Sequence, residues 1–273
     1  MSQIHTCQNC GKQYQGYYCN WCGERLFDNK QRQISVLATN LIESLFNVDG
    51  KLLTSIRLFI TKPGYLAYQH WRGVRMSYMS PVSFFLIINV IYFLFSPMTD
   101  FALPLHNQAM QPYSEWVQPT IDSYLANTEI TFEKLAIQYD AISSALAKSL
   151  VILSIPFLVP FIWIVNPSRK YYLLDHCVSA LYLYSFVLVW PIILGGIMSL
   201  LSWSSIDLSP FGITGLGLLL TSYYVYSFFF QVQMYQNTIL LSALKSMVIL
   251  IGIAVSHFIY RFIQFWLVWW QIT

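Results

Sequence analysis

The sequence predicts an all-α integral membrane protein of about five transmembrane helices, with a small four-cysteine module at its N-terminus. Three observations carry this expectation. Apolar residues make up 56% of the 273, where soluble proteins have roughly 45–50%. Charged residues are only 10%, too few to keep a water-facing globule of this size dispersed. Long apolar runs recur along the chain, and its mean hydropathy is +0.51. Together these exclude a soluble enzyme, a nucleic-acid-binding domain and a disordered linker. The 19 Tyr, 19 Phe and 9 Trp suit side chains that collect at membrane interfaces. A net charge of +3 is too small to call for a nucleic-acid partner.

A bilayer core of about 30 Å takes about 20 apolar residues in a helix. Spans are expected near residues 80–97, 147–166, 177–201, 211–230 and 246–267. Pro81 falls in the first turn of the first span, where a missing N–H costs little. The second contains Pro156 and Pro160. The third is interrupted by Pro191 and Gly195-Gly196, so a kinked or a broken helix is expected there. Between the first two spans, loop 98–146 places Phe132, Leu135, Ala136, Tyr139, Ile142 and Leu146 at helical spacing, as a cover on the outer surface.

Charge sets the expected orientation. Residues 1–78 carry nine Lys/Arg, among them Lys12, Arg25, Lys51, Arg72 and Arg75, whereas residues 97–146 carry only Lys134 with six acids. Cationic flanks stay inside, and the later loops agree, with Arg169-Lys170 inside and Asp207 outside. The chain is therefore expected to cross the membrane with a cytoplasmic N-terminus and an external C-terminus. No signal-peptide pattern precedes the first apolar run, which then acts as an internal anchor.

Four of the five cysteines form two pairs, Cys7-Gln-Asn-Cys10-Gly11 and Cys19-Asn-Trp-Cys22-Gly23. A two-residue spacer lets both thiolates of a pair reach one ion, and two pairs complete a tetrahedral shell. Glycine after each second cysteine can turn backbone N–H groups towards the sulfurs. Residues 1–28 are read as a ribbon holding one structural zinc per chain, with iron as the other ion and two disulfides as the other chemistry. A saturated four-thiolate shell leaves no position for substrate. Cys177 reads as a small apolar side chain.

Residues 29–78 read as membrane-proximal. Ile34, Leu37, Leu41, Ile42 and Leu45 form one amphipathic stripe; Leu52, Leu53, Ile56, Phe59 and Ile60 form a second, which Lys62-Pro63-Gly64 ends. Such helices suit either an anionic cytoplasmic lipid face or the inner ends of the spans. Residues 79–273 form the membrane domain. Ionisable groups within it are functional candidates. Asn89, His257 and Arg261 make one intramembrane polar set, the last two on one helix face. Arg75, His176 (beside Asp175) and Lys245 enter different spans from the inside and are expected to form an anion or lipid pocket.

Several of these features coincide in one pattern: the two Cys-x-x-Cys-Gly pairs, then Gly73-Val-Arg75, Tyr78 and Pro81 before the first span, then Asp175-His176 and Tyr223-Tyr224. In this the chain resembles a bacterial membrane family known as domain of unknown function 3667. The resemblance runs over nearly the whole chain. It implies an inner-membrane protein and lends the sites no chemistry.

Three classes of function are compatible with the sequence. In the first, a membrane scaffold or adaptor engages a cytoplasmic protein through its ribbon. The second is a small-solute or lipid-handling transporter using the anion pocket, for which a homodimer is expected because five spans are few for one carrier. The third is a membrane enzyme with His176 as its acid–base group; no Ser–His–Asp arrangement, phosphate loop or carboxylate pair supports it. An adaptor, without enzymatic activity, is the preferred expectation.

Overall fold

In an apolar environment every backbone N–H needs an internal acceptor, and helices supply one within a single segment. The computed structural model describes residues 4–26, 51–95, 103–203 and 215–273, and these are mostly helical. Strands β1 (Ile4–Thr6) and β2 (Gln13–Gln15) pair antiparallel, with His5 opposite Tyr14. The helices are α1 (Lys51–Thr61), α2 (Tyr65–Trp71), α3 (Pro81–Leu94), α4 (Ser114–Asn127), α5 (Phe132–Leu150), α6 (Ser154–Val165), α7 (Leu173–Trp203), α8 (Gly215–Tyr235) and α9 (Ile239–Ile272). The stripe at residues 33–47 lies outside the described residues, as do Asp28 and Asp207.

Local chemistry fixes several ends. Ser80 caps α3 by accepting the Ser83 N–H at 3.2 Å, with Pro81 next. Thr131 caps α5 through Lys134 N–H at 3.4 Å. Gly64 makes the elbow between α1 and α2 at φ +83°, a conformation that costs other residues a steric penalty.

Among the described residues, two helices are long and apolar enough to cross a membrane, Leu173–Leu200 within α7 and Ile239–Ile272. A third span exists if α5 and α6 count as one bent element. The expected span 147–166 is bent at its start: Phe132–Ala147 and Val151–Val165 meet at 63°, and a short 3-10 turn, Val151–Leu153, leads into α6. Helix α6, beyond the break, has 12 residues and is about 18 Å long at 1.5 Å per residue. The third expected span is a single unbroken helix through Pro191. For the first, the described helix α3 has only 14 residues, and 96–97 lie outside the described residues. Helix α8 is long enough, but Thr, Ser, Tyr and Gln dilute its apolar character below that of α7 and α9; residues 211–214 are outside the described set.

The main core lies where α3 and α6 pack on α7, and where α9 packs on α6 and α8. Phe84, Phe85, Leu158, Tyr184 and Phe230 are fully buried there. Helix α1 joins this core instead of lying free on a lipid surface. Its Phe59 is buried, with ring centroids 4.9 Å from Phe84 and 5.6 Å from Tyr226. The Tyr226 hydroxyl donates to the Phe59 carbonyl at 3.2 Å. A second cluster sits at the far end of α9, where Leu105, Val117, Ile121, Leu135 and Tyr139 close over Phe265, Val268 and Trp269. Residues 103–147 are thus a helical cap on the last turns of α9.

Candidate metal centre and the polar sites at the helix ends

The two cysteine pairs build matching turns. Gly11 N–H donates to the Cys7 carbonyl at 2.9 Å, and Gly23 N–H donates to the Cys19 carbonyl at 2.9 Å. Gly11 and Gly23 have nearly equal positive φ values, +73° and +72°. The four sulfurs of Cys7, Cys10, Cys19 and Cys22 lie within 4.8 Å of one another. Cys7 and Cys22 Sγ are 3.5 Å apart, Cys10 and Cys19 Sγ 3.6 Å. A disulfide needs about 2.05 Å, and all five cysteines are free. A tetrahedral ion with metal–sulfur bonds of about 2.3 Å places its sulfurs about 3.8 Å apart. The donor set therefore fits a metal ion. Burial raises the Cys7 thiol above its ordinary value, whereas a hydrogen bond with the Asn9 side chain lowers Cys22.

The ribbon docks on the loop after α2. Glu24, 5% exposed, accepts the Met76 N–H at 2.9 Å. Ser77 Oγ donates to Asn9 Oδ1, and Met76 Cε reaches to 3.9 Å from where a Gly23 Cβ would lie. Burial raises the Glu24 carboxyl, opposed by the Met76 and Arg75 donors and by the charges of Arg75 and Lys51. Arg75 thus belongs to this interface. The loop is held from below by the Ser55 hydroxyl, which accepts the Met79 N–H at 3.0 Å.

Where the start of α7, the end of α8 and the start of α9 meet lies a separate polar network. Lys245 Nζ donates to Asn166 Oδ1 at 3.2 Å and Asn237 Oδ1 at 2.9 Å. Asn237 also donates to Gln231 Oε1 at 2.9 Å. His176 is fully buried; its Nδ1 is 2.9 Å from the Tyr235 hydroxyl, which is 3.0 Å from Ser179 Oγ. Asp175 Oδ2 accepts the Tyr172 N–H at 2.8 Å at the start of α7. Lys245 and Tyr235 line a cavity of about 230 Å³ with Asn166 and Asn237. Tyr235 brings Lys245 and His176 into one neighbourhood, and Arg75 is not among the residues lining that cavity. His257 and Arg261 lie one turn apart on α9, both half-buried. Asn89, also half-buried, stands on α3, whose main packing partner is α7.

Sequence reasoning misses Glu24, Asn9 and Ser77 at the docking interface, and Asn166, Asn237 and Tyr235 around Lys245. In the sequence Glu24 reads only as a charge offsetting Lys12 and Arg25. The amides give no signal, because a lone Asn in a connector is ordinary turn chemistry.

A mostly helical chain with apolar helices of membrane-crossing length, joined to a four-cysteine cluster that can bind a metal, is the class these features define. Residues 49–93 match the family model described as Protein of unknown function (DUF3667). That stretch holds α1, α2, the docking loop and nearly all of α3, so the family match covers the surface that receives the ribbon. No curated protein and no solved structure matches the chain.

Removing the Glu24 carboxylate should loosen the docking. In Glu24→Ala the part-buried Met76 N–H loses a hydrogen bond to a charged acceptor, at a cost of about 1.5–3 kcal/mol. Hydrogen exchange over residues 73–79 should then speed up about tenfold, with the four-cysteine turns unchanged. Unaltered exchange there would show that the Glu24 contact does not hold the ribbon.

Proposed function

We propose that this protein is an inner-membrane adaptor that presents a zinc ribbon on the cytoplasmic side to a protein partner. The observation that carries the reading is the ribbon's outer face. Tyr17, Tyr18 and Trp21 are 77%, 58% and 67% exposed, on a module whose own core is little more than Cys7, Tyr14 and Cys19. Large aromatics on a small rigid module are the side chains that anchor protein interfaces. Lys12 Nζ sits 3.8 Å from the Trp21 ring centroid and holds that ring in place. Zinc is the ion that four thiolates in this spacing favour. The reading takes α3 and α8, packed on α7 and α9, as further spans to make five, and the Lys/Arg-rich flanks support the proposed orientation.

Two experiments test this. A Tyr17→Ala, Tyr18→Ala, Trp21→Ala variant should keep its metal and membrane insertion but lose a partner captured by in-cell cross-linking and identified by mass spectrometry. Equal capture by the variant would refute the ribbon as the docking face. For orientation, cysteines introduced at the exposed positions Asn107 and Gln15 should behave oppositely towards an impermeant thiol reagent. Asn107→Cys should react in intact cells, and Gln15→Cys only after the membrane is opened. The reverse pattern would overturn the topology.

A second reading, small-anion or lipid handling, is favoured by one observation. Lys245 Nζ is held by two neutral amide oxygens, which leaves its positive charge for a ligand in the cavity beside it. Under this reading Lys245 is the residue that meets the ligand, His176 stands behind the cavity wall on the Tyr235 hydroxyl, and Arg75 is at the ribbon interface instead.

A further inference from the structure

A cavity of about 780 Å³ lies between the ribbon and the membrane domain. Its walls come from three separate parts of the chain. The ribbon contributes His5, Glu24 and Arg25; the end of α2 contributes Tyr68, Trp71 and Arg72; the connector between α6 and α7 contributes Arg169, Lys170 and Tyr172. Four permanent cations therefore face one space. Among the described lining residues the one acid, Glu24, is turned to the Met76 N–H and to Arg75. Among the described residues, none of Arg25, Arg72, Arg169 and Lys170 is paired with a carboxylate.

Like charges gathered in one cleft repel unless an anion joins them, and low-dielectric walls focus their field into the cleft. The floor is fixed before any ligand arrives. Trp71 Nε1 donates to the Lys170 carbonyl at 3.2 Å, and Gln236 Nε2 donates to the Tyr68 hydroxyl at 3.0 Å. The Arg72 guanidinium sits 5.9 Å from the Tyr68 ring centroid. On the opposite wall, Arg25 pairs with Tyr18 in an isolated bridge, and Leu26 N–H donates to the Tyr17 carbonyl at 2.7 Å. Arg25 is thus placed by the strand that leaves the second cysteine pair.

We propose that this cleft binds a multiply charged phosphate, and that the metal ribbon is one wall of the site, so that metal and phosphate binding reinforce each other. Arginine forks and a lysine ammonium are the donors that suit phosphate oxygens. One wall exists only while the cysteine turns are folded, and thermodynamic linkage makes the coupling reciprocal. The phosphate comes either from a soluble diphosphate or from an anionic lipid headgroup, the two sources sharing one chemistry.

The test uses the full metal-loaded chain in phosphatidylcholine nanodiscs, titrated calorimetrically with inorganic pyrophosphate. Wild type should bind, and Arg169→Gln with Lys170→Gln should weaken binding about tenfold or more, as loss of two cations facing an anion requires. Arg25→Gln, on the other wall, should weaken it as well, which guards against a local folding defect in the connector. Removing the metal with a chelator should reduce affinity by a similar factor. If discs containing cardiolipin, whose headgroup holds two phosphates, abolish the pyrophosphate signal, and native mass spectrometry finds that lipid retained by wild type but not by the double variant, the source is the membrane. If pyrophosphate binding persists in those discs, the source is soluble. Binding that is absent in every disc, with no lipid retained, overturns the proposal. So does equal binding by wild type and both variants, or affinity untouched by chelation.

Discussion

A chain carrying Cys19→Ser and Cys22→Ser loses its metal and, with it, the fold of residues 4–26. The ribbon has two three-residue strands and a buried cluster of Cys7, Tyr14 and Cys19. A two-stranded hairpin is marginal at best in water, and so small a core cannot offset the ordering of its backbone. Structural metal in such modules supplies about 10–16 kcal/mol of apparent folding free energy. Elemental analysis of the purified protein should find one zinc per wild-type chain and none in the variant. Hydrogen-exchange protection over residues 4–26 should collapse, while α7 and α9 stay protected. Retained stoichiometric metal, or an unchanged ribbon, would rule this out. Because ligand thiols must release their protons to bind, acid should displace the metal from the wild type, so occupancy falls as pH falls.

The second large effect is expected at Gly64. An added Cβ there would lie 2.7 Å from the Phe230 carbonyl oxygen and 3.0 Å from Phe230 Cα, at φ +83°. Left-handed backbone costs a non-glycine residue about 1–2 kcal/mol, and forced overpacking adds about 1–3 kcal/mol. Gly64→Ala should therefore lose about 2–5 kcal/mol, which lowers Tm by about 4–20 °C at 2–4 °C per kcal/mol. Gly195→Ala provides the contrast. That glycine is inside α7 with nothing within 4 Å of its would-be Cβ, and alanine there gains helix propensity. Equal melting of Gly64→Ala and wild type would show that the elbow does not press on α8.

The cysteine cluster is legible in the sequence because its chemistry is local. Two-residue spacers and the glycines after them decide the turn geometry, whatever the rest of the chain does. The long apolar helices α7 and α9 are legible for a related reason, since length and hydropathy are properties of one segment. The bend before α6 is not legible, because no proline or glycine stands between Ala147 and Val151 to mark it. Arg75 marks where local reasoning stops. A helix end sets its depth, yet its contact with Glu24 depends on a tertiary approach of chain segments about fifty residues apart. The same holds for Asn166 and Asn237, which become meaningful only when the chain folds back and sets them around Lys245.

Helix α9 has 34 residues, about 51 Å of helix at 1.5 Å per residue. One end carries Lys245 and its amide partners; the other carries Phe265, Val268 and Trp269 under the cap. Between them, Gly252 lets α6 approach so closely that an added Cβ would meet the Phe161 side chain at 2.7 Å. Packing against α5, α6 and α8 holds α9 along most of its length. A side chain at position 252 would therefore have to spread α6 from a helix clamped on both sides of the contact, and the strain would reach the cap and the Lys245 network together.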